Sequence, residues 1–194
     1  MDNDFATKIS NLQNQFYASS GGKNSIFKKQ QKFDCATTIC ENMGIDDLIQ
    51  KTFYRIPNTN KIYGDYTVFK LYANPTNFDH ISFKLLELTN SVYHDCGDYE
   101  AHINLDSFTI SACERYKSFI TTYCEKCFGG GPNCPNDTPC NLSKMYIYNT
   151  PSVIDSISKI LKPLLHPDVR NKIVYYNKKD SPAILLHLHT TEPR

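Results

Sequence analysis

Four cysteines gathered in one stretch are the strongest chemical signal in the chain. Cys124-Glu-Lys-Cys127, Cys134 and Cys140 follow the spacing C-x2-C-x6-C-x5-C around Phe128-Gly129-Gly130-Gly131-Pro132. Glycines let a backbone fold back on itself, and four thiolates brought together this way can close a tetrahedral zinc site. The expectation is a structural zinc held by Cys124, Cys127, Cys134 and Cys140. Reduced thiols or disulfides are the alternatives, the latter requiring an oxidising compartment. A redox role for the C-x-x-C pair is disfavoured, because such pairs normally open a helix whose N-terminus lowers the thiol pKa, and this pair ends one.

Elsewhere the chemistry is thinner. His187 and His189 stand two apart in an apolar run that reads as a strand, so both would face one side, yet no neighbouring carboxylate or cysteine completes a ligand set. They are expected to be structural. Asp106 stands just before a helical pattern and reads as a cap rather than a catalytic acid. No G-x-S-x-G, phosphate-cradling glycine loop or paired carboxylates with a base is present, so the chain is expected not to be an enzyme.

The elements that must position these residues belong to a chain of 194 residues, a length that suits one domain with a single sizeable core. Lys and Arg total 21 against 20 Asp and Glu, a formal net charge of +1, which excludes the strongly basic stripe that backbone-driven nucleic-acid binding needs. With 13 Tyr and 11 Phe, the chain can offset its ordering entropy by burial. No run approaches the ~20 apolar residues of a membrane span, and Met1-Asp2-Asn3-Asp4 lacks the basic and apolar regions of a secretory signal. A cytoplasmic protein, able to associate peripherally with membranes, is therefore expected.

Phe5, Ile9, Leu12 and Phe16 lie at helical spacing, and after Ser19-Ser20-Gly21-Gly22 the residues Lys23, Lys28, Lys29 and Lys32 surround Ile26 and Phe27. Residues 1–32 thus read as an amphipathic, basic N-terminal tail, a composition able to sit on an anionic membrane surface. Residues 34–55 read as helix, interrupted at Gly44 and restarted by Asp46-Asp47. Turn chemistry at Asn58-Thr59-Asn60 and Tyr63-Gly64-Asp65 precedes an aromatic, β-branched run, Tyr66–Tyr72, expected to be a strand. A helix capped by Asn77 and carrying Ile81, Leu85, Leu88 and Val92 follows, then a strand through Ala101, Ile103 and Leu105. Further expectations are a helix from 109 to 127 with Ser111 and Glu114 in capping-box spacing, a strand 144–149, and a helix 152–165 entered through Thr150-Pro151. Two last strands are expected at 173–176 and 184–189. Strands alternating with helices imply an α/β fold, a mixed and largely parallel sheet of about five strands covered by helices.

Within this pattern, Lys144-Met-Tyr-Ile-Tyr-Asn-Thr-Pro151, then Ser152 to Leu165 ending Lys-Pro-Leu-Leu, then His166-Pro-Asp-Val-Arg-Asn-Lys-Ile173 resembles the core of the CRAL-TRIO lipid-binding family. His102-Ile-Asn-Leu-Asp-Ser-Phe-Thr-Ile-Ser111 looks like that family's strand running into a helix, and the likeness spans residues 60–189. The resemblance implies a lipid-binding domain over 33–194, with 124–140 as a cysteine-rich insertion, and an apolar pocket for a phospholipid or other hydrophobic ligand. It makes helix 152–165 the gate. Val153, Ile154, Ile157, Ile160, Leu161 and Leu164 form the apolar face of that helix and are the expected lipid contacts, opposite Asp155, Ser158, Lys159 and Lys162. Lys172 matches the family position whose ammonium meets an inositol phosphate, while Pro139-Cys140 replaces the family's Pro-Glu step and Ala101-His102-Ile103 its Ser-x-Thr pair. The alternative implied by the same likeness is a BCH-type interaction scaffold that binds a small GTPase or another protein partner and carries no lipid.

Overall fold

The computed structural model describes residues 3–22, 26–128, 141–165 and 167–190. The N-terminal third is helical: α1 (Asn3–Ser19), α2 (Lys28–Met43) and α3 (Ile45–Thr52). Phe5 and Ile9 of α1 are buried with Phe33 and Ile39 of α2 and Leu48 of α3 in one apolar cluster, so α1 packs on the body of the protein. Gly44 separates α2 from α3 at φ +79°, a conformation that favours glycine.

Five strands then form one sheet in the order β1-β2-β3-β4-β5: β1 (Phe53–Arg55), β2 (Lys61–Asp65), β3 (Tyr99–Asn104), β4 (Leu142–Thr150) and β5 (Ile173–Asn177). The β1–β2 pair is antiparallel and the other pairs are parallel, the mixed α/β sheet expected. Spatial order equals chain order. Right-handed crossovers therefore carry the three connections between parallel neighbours, β2 to β3, β3 to β4 and β4 to β5, over the same face of the sheet. That face holds α4 (Tyr66–Tyr72), α5 (Phe78–Cys96), α6 (Ile110–Phe128) and α7 (Ile154–Leu161), the last continued by a 3-10 turn at Lys162–Leu164 and followed by α8 (Pro167–Arg170). The opposite face receives α9 (Ser181–Thr190).

Two segments differ in type from the sequence expectation. Tyr66–Tyr72 is helix, not strand. The Asp65 carboxylate accepts from the Thr67 backbone N–H at 2.8 Å and from its hydroxyl at 2.6 Å, capping α4, and Tyr66, Phe69 and Tyr72 recur every third residue on one buried face. Burial against α6, with Phe69 and Tyr116 rings 5.0 Å apart, outweighs the strand propensity of aromatic residues. Residues 184–189 are also helical. Asn177 turns the chain by accepting from the backbone N–H groups of Lys179 and Asp180, and Ile184, Leu185 and Leu188 then meet the sheet at helical spacing.

Smaller corrections concern turns and caps. Tyr63-Gly64-Asp65 is the end of β2 rather than a turn. Thr109, not Ser111 or Asp106, caps α6 by accepting from the Ala112 N–H at 3.1 Å. Helix 152–165 shortens to α7 plus its 3-10 turn, because the Thr150 hydroxyl is engaged with the Tyr176 carbonyl at 3.0 Å instead of capping. Asn149, at φ +53°, lies at the pairing irregularity between Ile147 and Thr150 near the end of β4; its amide donates to Asn104 Oδ1 at 2.8 Å and its N–H donates to Ser181 Oγ at 2.8 Å.

An apolar cavity on one face of the sheet

Side chains alternate across a strand, so one row of paired residues shares one face. Phe53, Gly64, Ile103, Ile147 and Tyr175 are successive partners across all five strands, and all five line one cavity of about 240 Å³. Gly64 is where this floor needs glycine: a Cβ there would stand 3.0 Å from Ile103 Cδ1 and 3.2 Å from the Phe53 ring. Phe69, Leu85, Phe119 and Leu161 bring α4, α5, α6 and α7 over the same space as its roof. Burial raises the pKa of the Tyr66 and Tyr116 phenols that reach it, so both stay neutral at physiological pH.

The adjoining row faces the other way. Tyr54, Tyr63, His102 and Tyr146 are paired in succession, and His102 is stacked between Tyr146 and Tyr148 at centroid distances of 4.8 and 5.9 Å. The His102 ring engages Tyr148 Oη at 2.8 Å through Nδ1 and Glu100 Oε2 at 3.2 Å through Nε2. A carboxylate only accepts, so Nε2 carries the proton and Nδ1 accepts from the phenol. Desolvation lowers the pKa of His102, against the opposing pull of Glu100. A second cleft of about 310 Å³ lies beside Phe5, Tyr54 and Tyr63, but Gln50, Lys51 and Asp65 also line it, which makes it unsuited to hydrocarbon.

The gate residues occupy several environments. Leu161 lines the cavity. Ile157 is 1% exposed within the main apolar cluster, against which Ile154 and Ile160 also pack. Leu164 is half-buried on the 3-10 turn, and Val153 is 39% exposed at the start of α7. Lys172 enters β5, where its carbonyl accepts from the Met145 N–H at 3.0 Å. Among the described residues, Lys162 is the one charged side chain on the cavity wall.

Cys124 is buried on α6, where it also lines the cavity. Cys134, Cys140 and the side chain of Cys127 lie outside the described residues, and among the described residues no three His, Cys, Asp or Glu side chains converge as metal ligands would. His187 and His189 fall on α9, about 200° apart around the helix rather than on one side. The His189 ring meets Tyr63 edge-on at 4.7 Å. Ile26 and Phe27 are 81% and 67% exposed before α2. No helix among the described residues is long and apolar enough to cross a membrane.

Sequence reasoning missed Phe53, Gly64 and Tyr175. A glycine inside a strand often marks a close approach of neighbours, and reading Gly64 that way would have pointed to the floor. Residues 135–191, which include β4, α7 and β5, match the CRAL/TRIO domain family model. No curated protein matches the chain.

Proposed function

We propose that this chain, which matches the CRAL/TRIO domain family model over residues 135–191, binds, and exchanges with membranes, a hydrophobic guest held in the cavity between the sheet and α7. The observation that carries this reading is the cavity itself, about 240 Å³ of almost wholly apolar wall. Apolar walls of this kind hold water poorly, and about 150 Å³ of apolar space is enough to admit benzene. Each buried methylene contributes about 0.8 kcal/mol, so a guest chain supplies the driving force without any strong polar contact. The helix α7 is the gate. Its buried Ile157 anchors it to the core, while Ser158, Leu161 and Lys162 meet the cavity, so lifting this one short segment would open the roof.

Nothing in this mechanism makes or breaks a covalent bond. The residues bind, exclude water and release, in keeping with a family whose members are generally non-catalytic ligand-binding proteins. Native mass spectrometry of the purified protein tests the reading. An adduct of lipid mass that organic extraction removes supports it, whereas a bare chain that takes up neither labelled fatty acid nor labelled phospholipid from vesicles sinks it. The thiol set Cys124, Cys127, Cys134 and Cys140 is proposed separately to hold one structural zinc. Elemental analysis decides that point, about one zinc per chain supporting it and none rejecting it.

A further inference from the structure

Among the described residues of the cavity wall, two are exposed: Lys162, and Tyr175 on the edge strand β5, at 43%. They mark its mouth. Ser158 stands beside them, its Oγ 3.4 Å from the Tyr175 hydroxyl, and Lys162 follows it by four residues and therefore lies on the same side of the gate. The mouth thus gathers two hydroxyls and one ammonium, all able to donate and, among the described residues, with no carboxylate on the same wall, around an interior that is otherwise apolar. Such a ring accepts an anion. Charge-assisted hydrogen bonds to a carboxylate or phosphate are stronger than neutral ones, and an organic cation would be repelled by Lys162.

Volume limits the tail. Benzene, with six carbons, fits an apolar cavity of about 150 Å³, so about 240 Å³ takes roughly ten carbons. One medium-length chain fits and two long ones do not. We propose that the closed form of this protein holds a single-chain amphiphile with an anionic head, its tail between the sheet and α7 and its head at Lys162, Ser158 and Tyr175. This inference rests on the cavity-binding reading above and names the class of its guest.

Calorimetric titration of the full chain, stripped of endogenous lipid, with decanoate, decanol and decyltrimethylammonium tests it. Decanoate should bind about tenfold more tightly than decanol, and the cation more weakly than either. Lys162→Gln should bring decanoate affinity down to that of decanol measured on the same variant, Lys162→Arg should retain the preference, and Lys162→Glu should turn it toward the cation. Because Lys162 is exposed, these substitutions leave the core untouched. Monodecyl phosphate in place of decanoate distinguishes a phosphate from a carboxylate head, tighter binding of either over decanol supporting the inference. Decanol binding as tightly as decanoate, or a preference that survives Lys162→Gln, overturns the anionic mouth but leaves the apolar cavity standing. Uptake of a two-chain phosphatidylcholine from vesicles in preference to decanoate overturns the single-chain limit. Failure of all three ten-carbon probes and of the phospholipid overturns both this inference and the cavity reading it rests on.

Discussion

The two faces of the sheet are built from neighbouring residues of the same strands, yet one encloses an apolar cavity and the other carries a stacked aromatic layer beside a polar-lined cleft. On β4, Met145 and Ile147 border the cavity, while Tyr146 and Tyr148 stack with His102 and Tyr176 on the reverse. An apolar cavity of about 240 Å³ costs on the order of 6 kcal/mol at about 24 cal/mol per Å³, a large fraction of the stability of an ordinary domain. A protein can carry such a void if a guest fills it or if packing elsewhere compensates. The reverse face supplies the second condition: the Tyr148 phenol and the His102 imidazole are hydrogen-bonded, and Leu188 of α9 packs on it at 9% exposure. The difference teaches that binding capacity and rigidity are divided between faces by the twofold alternation of strand side chains.

The largest effect expected from a single change is at the anchor of the gate. Ile157→Ala should destabilise the protein by about 2–5 kcal/mol in denaturant unfolding, because Ile157 is 1% exposed among α7's core contacts. A loss below about 1 kcal/mol would mean that α7 is not fastened there. Filling the floor comes next. Gly64→Val forces atoms into the space held by Ile103 and Phe53, at about 1–3 kcal/mol, and should abolish guest loading in native mass spectrometry. Normal loading in that variant would detach the cavity from the binding reading.

On the reverse face, Tyr148→Phe removes the donor to His102 Nδ1 and should cost about 1–3 kcal/mol while leaving guest affinity unchanged, which separates the faces experimentally. Altered loading would show that the faces are coupled. The smallest effect is a pH dependence. Burial depresses the pKa of His102 in the folded state, and that of His189 likewise, so the unfolded chain takes up protons first on acidification. The contribution of both groups is complete above the ordinary histidine pKa of about 6.5 and is lost as pH falls below it toward the folded values. Unfolding midpoints measured from pH 7.5 to 5 should therefore decline, and His102→Gln should flatten the slope; an unchanged slope assigns the effect elsewhere.

How much of this was legible before any fold was known differs by element. The helices of residues 5–16 and 78–96 carry long, regular apolar stripes, and their existence follows from period alone. The run from Lys144 to Ile173 combined a strand, an amphipathic segment and a second strand closely enough to carry the resemblance, and the family-model match over residues 135–191 includes most of it. Tyr66–Tyr72 and Ile184–His189 were not legible. Both are short and almost wholly apolar or aromatic, so neither period stands out, and the choice of helix rested on Asp65 and Asn177 together with the surfaces awaiting them.

The amino-acid order by itself determined which residues could line an apolar interior and where the chain alternates between strand and helix, because local period and polarity are properties of adjacent residues. Only the tertiary structure decided that Phe53, Gly64, Ile103, Ile147 and Tyr175 form one floor and that Lys162 and Tyr175 share its mouth. Register between strands distant in the chain is set by simultaneous burial of both faces. No local stretch carries that information, since a slip of one residue would turn the tyrosine face into the cavity and the cavity residues toward α9.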